Sequence, residues 1–333
     1  MHPTPAAAQV PLASGRRAWL RAAVAAMATP LLGCAPAPTP LRLACNDWAP
    51  YLFAEVERAG GRLDAGVVRL VEMPSSADSL MALNARSVEA AGLTLDELLY
   101  ARSGGLDVVA VAVCNESHGA DMLLAAPRIA SLAALRGRRV GVERSAVGAL
   151  LLKGALRAAG LRPEEIEPVD VPQPRHRAAL ETGEVDAVVT FGAPARALLA
   201  GGARVLFDSA AMPGAIVDVL AVRGDARASH RDGLRALLAA HFAALRAWQR
   251  DARAVRPALA ARLGVDEAHV DALFDGLTLV PLAAQRQWLN AILPRAAAEL
   301  QTAMLDNRLL ERPAPLNALT DDDHLPPLAA AAA

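Results

Sequence analysis

The chain has 333 residues, of which 54% are hydrophobic, and its 34 Lys and Arg nearly balance 35 Asp and Glu, for a formal net charge of -1. Because a chain of this length usually forms more than one hydrophobic core, we expect two globular lobes. The balanced charge, without a long block of one sign, excludes a strongly basic surface, and we expect no nucleic acid partner.

The N-terminus has the order of an export signal. Arg16 and Arg17 precede an apolar run over 22–32, and a small residue followed by Cys34 ends the run, as in lipoprotein signals. The run has about half of the ~20 residues that a membrane-spanning helix needs. The two arginines also fit a twin-arginine signal, while the ordinary secretory route stays open, and a disordered terminus with a stray cysteine is the alternative. We predict a signal peptide over 1–33, lipidation of Cys34, and a Pro-rich tether over 34–40.

Short apolar runs alternate with helical patterns from residue 41 to about residue 223. This alternation is typical of parallel sheets with crossover helices. The predicted strands cover 41–45, 67–73, 90–93, 108–113, 122–125, 139–142, 167–171, 187–190, 204–207 and 217–222. The predicted helices between them cover 51–59, 79–86, 95–102, 146–159 and 175–182.

One pattern occurs twice. Ala82, Leu83, Val88, Glu89 and Ala90 match Ala179, Leu180, Val185, Asp186 and Ala187 at a constant offset. The repeat favours two similar lobes, although a chance match of two Ala-rich segments is an alternative. Beyond the second copy, 232–310 has a purely helical pattern, and 311–333 is Pro, Ala and Asp rich and expected to be disordered.

Cysteine and histidine give no sign of a metal site. With Cys34 assigned to lipid, Cys45 and Cys114 remain, and both end apolar runs. An oxidising compartment permits a disulfide between them, but two separately buried thiols are the favoured interpretation. The seven His are scattered without ligand spacing, so we expect no metal and no cofactor.

Five segments, in this order, resemble the solute-binding proteins of ABC importers of the nitrate/sulfonate/taurine type. They are residues 90–97 (AAGLTLDE), 115–121 (NESHGAD), 135–142 (LRGRRVGV), 183–188 (GEVDAV) and 207–209 (FDS). The chain departs from the family at 86–89 (RSVE), where a Gly-x-Val-Asp turn is usual, so the first-lobe turn is expected to differ in shape.

The resemblance implies an α/β, two-lobe periplasmic binding protein fold of type II, with two crossover segments and a helical C-terminal extension. The implied segments are lobe 1 over 41–125, lobe 2 over 126–217, and the lobe 1 return with C-terminal helices over 218–310. It also implies a function. A monomeric, membrane-anchored periplasmic lipoprotein would capture a small, anionic solute by lobe closure and deliver it to an ABC permease.

Ligands of open α/β sheets bind beyond the carboxyl ends of the strands, where helix N-termini point free N–H groups. Hydroxyl residues dominate these positions, and hydroxyls with helix N-termini can hold a sulfonate, nitrate or carboxylate. The candidate ligand-binding residues are Trp48, Ser76, Thr94, Ser117, Ser145, Thr190, Phe191 and Asp218.

Several candidates have a structural alternative. The Ser76, Thr94 and Ser145 hydroxyls could each cap a helix, and the Ser117 hydroxyl could satisfy turn backbone. Trp48 is favoured as a ligand contact and Phe191 as a core residue. Asp218 could contact a ligand amine, although pairing with an arginine is the favoured interpretation.

Other functions are weaker fits to the sequence. No Gly-x-Ser-x-Gly elbow, phosphate loop or zinc-binding helix motif is present, and an acid–base pair of Asp96 and Glu97 has no identifiable partner. We therefore expect no catalytic residues. Alternatives to an anionic solute are a thiamine-precursor pyrimidine, another small metabolite, or an enzyme built on the same fold. A sensory domain would need a signalling segment that the sequence does not show.

Overall fold

Two β-sheets organise the protein. The structure is a computed structural model that describes residue 1 and residues 39–143 and 146–328. The predicted signal peptide, Cys34, most of the tether and Ser145 therefore lie outside the described residues. The strands are β1 Leu41–Cys45, β2 Val68–Glu72, β3 Ala90–Thr94, β4 Val108–Ser117, β5 Met122–Ala125, β6 Arg139–Val142, β7 Glu167–Asp170, β8 Ala187–Thr190, β9 Arg204–Asp208, β10 Val217–Arg223 and β11 Leu277–Leu279.

Each sheet is the centre of one lobe. The first sheet has the order β11-β4-β10-β3-β1-β2, and the second has the order β7-β6-β8-β5-β9. Strand β1 is parallel to β2 and β3, and β6 is parallel to β7 and β8. The strands that follow the two crossovers, β5 and β10, are antiparallel to both of their neighbours. Strands β4 and β10 are almost entirely buried, as their continuous Val and Ala runs require.

Helices cover the faces of the sheets and form the C-terminal part of the chain. They are α1 Phe53–Ala59, α2 Ser76–Asn84, α3 Leu95–Ser103, α4 Ala146–Ala159, α5 His176–Glu181, α6 Gly192–Ala200, α7 Ala226–Ser229, α8 Arg231–Arg250, α9 Arg256–Leu263, α10 Glu267–Val270, α11 Leu282–Gln287 and α12 Leu293–Asp306. A π-helical turn over Trp288–Ile292 joins the last two. No helix among the described residues is long and apolar enough to cross a membrane.

The chain passes between the two sheets twice, and the two passages are bonded together. Ser117 Oγ lies 2.7 Å from Ser209 Oγ, and the Ser117 N–H donates to the Ile216 carbonyl at 2.9 Å. The Ser209 N–H donates to the Asp121 carbonyl, also at 2.9 Å. Because this double connection is narrow, it is where the lobes can rotate relative to each other.

The predicted lobe boundaries need one correction. Strand β5 was assigned to the first lobe, but all four of its residues pair with β8 and β9 of the second sheet. The first lobe therefore ends at Ser117, and the second begins in the crossover that precedes Met122. The predicted return at 217/218 agrees with the start of β10 within one residue.

The repeat corresponds to equivalent structure in the two lobes. Glu89 accepts a hydrogen bond from the Arg42 N–H at 2.9 Å, and Asp186 accepts one from the Arg139 N–H at 3.1 Å. Each carboxylate therefore ties the end of a repeat to the neighbouring strand. At the turn, Arg86 has a φ of 58°, which lies in the same left-handed region as the 74° of Gly183 in the second copy.

Two predictions for the C-terminal part are wrong. Residues 232–310 are not purely helical, because β11 pairs with the end of β4. The segment after Arg312, expected to be disordered, is packed on lobe 1 as far as Leu325. Ala110 donates to the Leu319 carbonyl at 2.9 Å, and Leu319 is buried. Three-residue strands and docked tails leave little local pattern in a sequence.

Candidate functional site

A small cavity lies between the lobes. Its volume is about 10 Å³, which is room for about one water molecule. A larger solute therefore requires the lobes to move apart before it can enter. The cavity is lined by Asn46, Trp48, Tyr51, Ser76, Thr94, Asp121, Val147, Phe191 and Asp218.

The sheets place these side chains together. Asn46 and Trp48 follow β1, and Thr94 ends β3. Because neighbouring parallel strands end at the same edge of a sheet, their next residues share one crevice. The second lobe contributes Val147 from α4 and Phe191, which follows β8. The cavity therefore belongs to both lobes.

A chain of hydrogen bonds fixes the first-lobe wall. Trp48 Nε1 donates to Asn115 Oδ1 at 3.3 Å, and Asn115 Nδ2 donates to Asp218 Oδ2 at 2.6 Å. The Tyr51 hydroxyl donates to Asp218 Oδ1 at 2.7 Å. Both carboxylate oxygens of Asp218 are therefore occupied, and the Trp48 and Tyr51 rings are held in fixed orientations.

Asn46 links the start of the wall to α2. Its Nδ2 donates to Ser76 Oγ at 2.9 Å, and its Oδ1 accepts from the Trp48 N–H at 3.2 Å. Ser76 does not cap α2, as the capping alternative had it, because the N-cap is Ser75, whose side chain accepts from the Asp78 N–H. The Ser76 hydroxyl is thus available at the cavity.

Trp48 also spans the two lobes. Its ring meets that of Phe191 edge to face, with centroids 5.5 Å apart. Such pairs contribute about 0.5–1.5 kcal/mol beyond the area they bury. Phe191 was favoured as a core residue, and it both packs in the core and lines the cavity. The contact between the two rings therefore stabilises the arrangement in which the two lobes lie against each other.

Carboxyl groups cluster around the cavity. Burial and, after it, the negative charge of Asp121 raise the pKa of Asp218 to about 7. Burial raises the pKa of Asp121 to about 6. Asp96, at the start of α3, is fully buried, and burial followed by the charge of Asp121 raises its pKa to about 6. Three acids are therefore close enough to oppose one another's ionisation.

Two further acids lie at the edge of this group. Burial raises the pKa of Glu97 well above its usual range, and the charge of Asp96 adds to this effect. Glu97 Oε2 accepts from the Thr94 N–H at 3.0 Å, and the two residues form a capping box at the start of α3, so Thr94 both caps this helix and lines the cavity. Burial also raises the pKa of Glu143. The acidic group thus reaches both lobes.

The structure brings together five of the eight predicted site residues. Trp48, Ser76, Thr94, Phe191 and Asp218 line the cavity, and Ser145 lies outside the described residues.

Two predicted site residues do not line the cavity. The Ser117 hydroxyl bonds with Ser209 Oγ and accepts from the Asp121 N–H at 3.3 Å, so it serves the crossover. Thr190 is fully buried at the end of β8. The favoured pairing of Asp218 with an arginine is also wrong, because its partners are the Tyr51 hydroxyl and the Asn115 amide.

Four polar residues of the site are absent from the predicted set. Asn46 directly follows β1, and Tyr51 lies three residues after Trp48, in the short helical turn before α1. Asn115 lies near the end of β4 and Asp121 lies in the crossover that follows it, and both fall within 115–121, one of the segments that carry the resemblance. Their positions relative to the cavity depend on how the crossover returns between the lobes, and no local signal reports that.

The described residues hold no thiolate and no metal site. Cys45 and Cys114 are separate buried thiols, as favoured, and burial raises the pKa of Cys45 to about 12. A thiol with this pKa stays protonated near neutral pH and is a poor nucleophile. Residues 39–143 and 146–328 contain no group of His, Cys, Asp and Glu that could hold a metal ion.

Gly92 gives the Tyr51 ring its position, so we predict that Gly92→Ala will damage the site. A Cβ on Gly92 would lie 2.7 Å from the buried Tyr51 ring, which cannot retreat. We expect a loss of about 1–3 kcal/mol in the free energy of unfolding, measured by urea denaturation, together with weaker solute binding. The control is Gly201→Ala, whose Cβ would have its nearest neighbour at 3.4 Å. An unchanged urea midpoint in Gly92→Ala would contradict the prediction.

Comparison with known proteins identifies the family of this chain and its fold. A profile of the NMT1-like family matches residues 39–264, which is more than half of the chain. A protein of Escherichia coli (strain K12), named as an aliphatic sulfonates-binding protein, is 34% identical over 141 residues. That alignment covers 41% of this chain and 44% of the relative, so the chain spans under half of that protein's length.

Solved structures agree over more of the chain. The alkanesulfonate-binding protein of Xanthomonas axonopodis pv. citri, bound to MOPS, has a TM-score of 0.70 at 21% identity, with 86% of this chain and all of that chain covered. The periplasmic aliphatic sulphonate binding protein of Escherichia coli has a TM-score of 0.66 at 23% identity, covering 85% and 96%. The desulfurization enzyme DszB has a TM-score of 0.61 at 21% identity, covering 86% and 97%. The predicted resemblance and the two-lobe fold are confirmed.

Proposed function

Because this chain belongs to the NMT1-like family, we propose that it is the solute-binding component of an ABC importer and closes its two lobes on a small solute. The observation that carries the proposal is the cavity that both lobes line with aromatic and polar side chains. Its position, beyond the strand ends and next to a double crossover, is where lobe rotation would open and close it. The permease is the expected partner.

The class of solute follows from the relatives. Two of the proteins similar to this chain are named for binding sulfonates, and one of them was solved with MOPS bound. We propose a small anionic solute, either an organic anion or an oxyanion, of the sulfonate, nitrate or taurine type. A thiamine-precursor pyrimidine is the second candidate, and the Trp48 and Tyr51 rings at the cavity support it because flat rings stack on aromatic side chains.

A thermal-shift screen tests the proposal. We expect one solute from a panel of sulfonates, nitrate, taurine, amides and pyrimidines to raise the melting temperature, because ligand at a hundred times its Kd adds about 2.7 kcal/mol of stability. Trp48→Ala should abolish the shift, since it removes part of the cavity wall and the contact with Phe191. Tyr100→Ala, which changes an exposed ring, should keep the shift.

The same screen separates a binding protein from an enzyme. DszB shows that the fold can carry an enzyme, but the buried Cys45 thiol has a pKa too high for nucleophilic chemistry. We expect the bound solute to be recovered unchanged by mass spectrometry. A solute that is consumed, or a panel that leaves the melting temperature unchanged, would contradict the proposal.

Lipid anchoring is a separate part of the proposal. The order of two arginines, an apolar run and Cys34 supports an exported periplasmic lipoprotein, by either the twin-arginine or the secretory route. A monomer bound to its permease needs no partner copy of this chain, and size-exclusion chromatography with light scattering tests that state.

We predict that Cys34→Ser will release the protein from the membrane or leave the precursor unprocessed. Stable anchoring by acyl chains requires at least two membrane signals, so loss of the modified cysteine should leave no lasting attachment. Membrane fractionation and intact mass measure the result. Cys45→Ala is the matched control, because this buried cysteine has no role in anchoring. Cys34→Ser protein that stays in the membrane fraction with an unchanged mass would contradict the prediction.

A further inference from the structure

The walls of the interlobe cavity carry acids and no described base. Asp121 and Asp218 both line the cavity, with exposed fractions of 5% and 3%. Among the described residues that line it, none is Lys, Arg or His. Asp96, whose charge raises the pKa of Asp218, adds a third buried acid close by. The described wall therefore favours positive charge.

Asp121 has an acceptor that nothing in the described protein uses. Its Oδ2 is buried without a hydrogen-bond partner, although the residue lines the cavity. Asp218 differs, because the Tyr51 hydroxyl and the Asn115 amide occupy its two oxygens. Buried polar atoms in proteins almost always have a partner, so an open carboxylate oxygen at a cavity points to a missing donor.

Thr94 lines the same cavity as Asp121 and forms a capping box with Glu97 at the start of α3, in which its N–H is bonded to Glu97 Oε2. An oxygen has two lone pairs, so a hydroxyl that caps a helix can still accept from a ligand. A donor that reached both Asp121 Oδ2 and Thr94 Oγ1 would need several N–H bonds in different directions. An ammonium group has three.

We propose that the solute bears a protonated nitrogen, which binds against Asp121 and Asp218 at the first-lobe side of the cavity. The inference rests on the proposed solute-binding function and specifies the charge of the solute. The nitrogen would give Asp121 Oδ2 its donor and offset the repulsion among the three acids. Trp48 and Tyr51 at the same wall suit a cation, because aromatic faces attract it.

The inference is compatible with the sulfonate named for the relatives. A zwitterion that carries both an amine and a sulfonate meets both requirements, whereas a simple alkanesulfonate brings a negative charge to a wall of buried acids. Such an anion would raise the pKa of Asp96, Asp121 and Asp218 further, so its binding at neutral pH would cost the free energy of protonating these acids. The discriminating property is therefore the nitrogen.

Three matched probes test the inference: taurine, ethanesulfonate and ethylamine. Taurine has both groups, and each of the others has one. We expect calorimetric titration to give at least tenfold tighter binding for taurine than for ethanesulfonate, and ethylamine to compete with taurine. Asp121→Asn should weaken taurine at least tenfold and leave ethanesulfonate no weaker. The matched control is Asp47→Asn, because Asp47 is an acid of the first lobe that pairs with Arg262 and does not line the cavity.

Proton exchange gives a readout independent of affinity. At pH 6.5, taurine binding measured in two buffers of different ionisation enthalpy should release protons, because a cation favours the ionised acids. Ethanesulfonate binding as tightly as taurine, or proton uptake with taurine, would overturn the charge assignment and leave the solute-binding function standing. If no probe and no member of the wider panel binds saturably to the wild-type protein, both proposals are wrong.

Discussion

Replacement of Arg102 by Met is expected to lower the free energy of unfolding by about 3–5 kcal/mol, because it leaves the carbonyls that this buried charged group binds without their donor. Arg102 is 6% exposed and lies near the end of α3. Its Nε donates to the Pro315 carbonyl at 2.7 Å, and its two Nη atoms donate to the carbonyls of Val108 and Asn317 at 2.6 Å. The side chain therefore joins the C-terminal segment to the first sheet. Urea denaturation measures the loss.

Hydrogen exchange distinguishes release of the tail from a general loss of stability. The Ala110 N–H donates to the Leu319 carbonyl, and the Ala110 carbonyl accepts from the Asp321 N–H, both at 2.9 Å. In Arg102→Met, Ala110 should exchange faster than the amides at the centre of the second sheet. Arg138→Met, at an exposed arginine of the second lobe, should change neither measurement. Equal stability of Arg102→Met and wild type would show that the segment docks without this side chain.

Asp121→Asn is expected to stabilise the protein without solute at pH 8 by about 3 kcal/mol more than at pH 4. The folded pKa is raised from 3.8 to about 6 by burial, so between these values the folded state holds more protons than the unfolded state. Stability therefore falls as the pH rises through this window, by about 1.4 kcal/mol for each unit of the shift. An asparagine of the same shape cannot ionise, so the variant does not lose this stability as the pH rises.

Because buried histidines also make stability depend on pH, the difference in unfolding free energy between wild type and Asp121→Asn is more informative than the pH dependence of either protein alone. Burial lowers the pKa of His176 and His241 to about 4, so the unfolded state takes up protons first and stability falls toward acid pH. This opposite slope is common to both proteins and cancels on subtraction. Asp47→Asn is the control at an exposed acid. A stability difference for Asp121→Asn that does not change with pH would show that the buried carboxyl ionises freely.

The same substitution should act in opposite directions on stability and on binding. Removal of the Asp121 charge relieves repulsion from Asp96 and Asp218 in the empty protein, but it also replaces the charged acceptor for a solute nitrogen by a neutral amide. Functional sites often retain such a cost, because groups arranged for a ligand oppose one another without it. Measuring both properties on one variant tests this relation directly.

Local pattern was enough to locate the strands. The ten predicted strands all form, and their observed ends lie within one residue of the prediction except at the end of β4, which extends four residues further. A buried strand needs a continuous apolar run bounded by turn residues, and both features lie within a few positions of each other in the chain. The repeat likewise located two carboxylates, Glu89 and Asp186, that take the same role in the two lobes.

Long-range contacts decided what the sequence did not show. Strand β11 has three residues and exists because β4, about 160 positions earlier, offers an edge to pair with. The C-terminal segment is ordered because Arg102 supplies donors to its carbonyls across more than 200 positions. The composition of β11 does not identify β4 as its partner, and the composition of the C-terminal segment does not identify Arg102.

The sequence alone determined the kind of protein, namely two α/β lobes with polar residues beyond the strand ends, because burial periodicity and strand-end chemistry are local properties. Only the tertiary structure decided which of those residues share the cavity. In the folded protein, the Ser117 hydroxyl bonds with Ser209 in the crossover, and Asp218 is bonded to Tyr51 and Asn115. Asp121 lies at the cavity with one carboxylate oxygen that has no hydrogen-bond partner. The physical reason is that charge and hydrogen-bond satisfaction depend on neighbours that the fold supplies from distant parts of the chain.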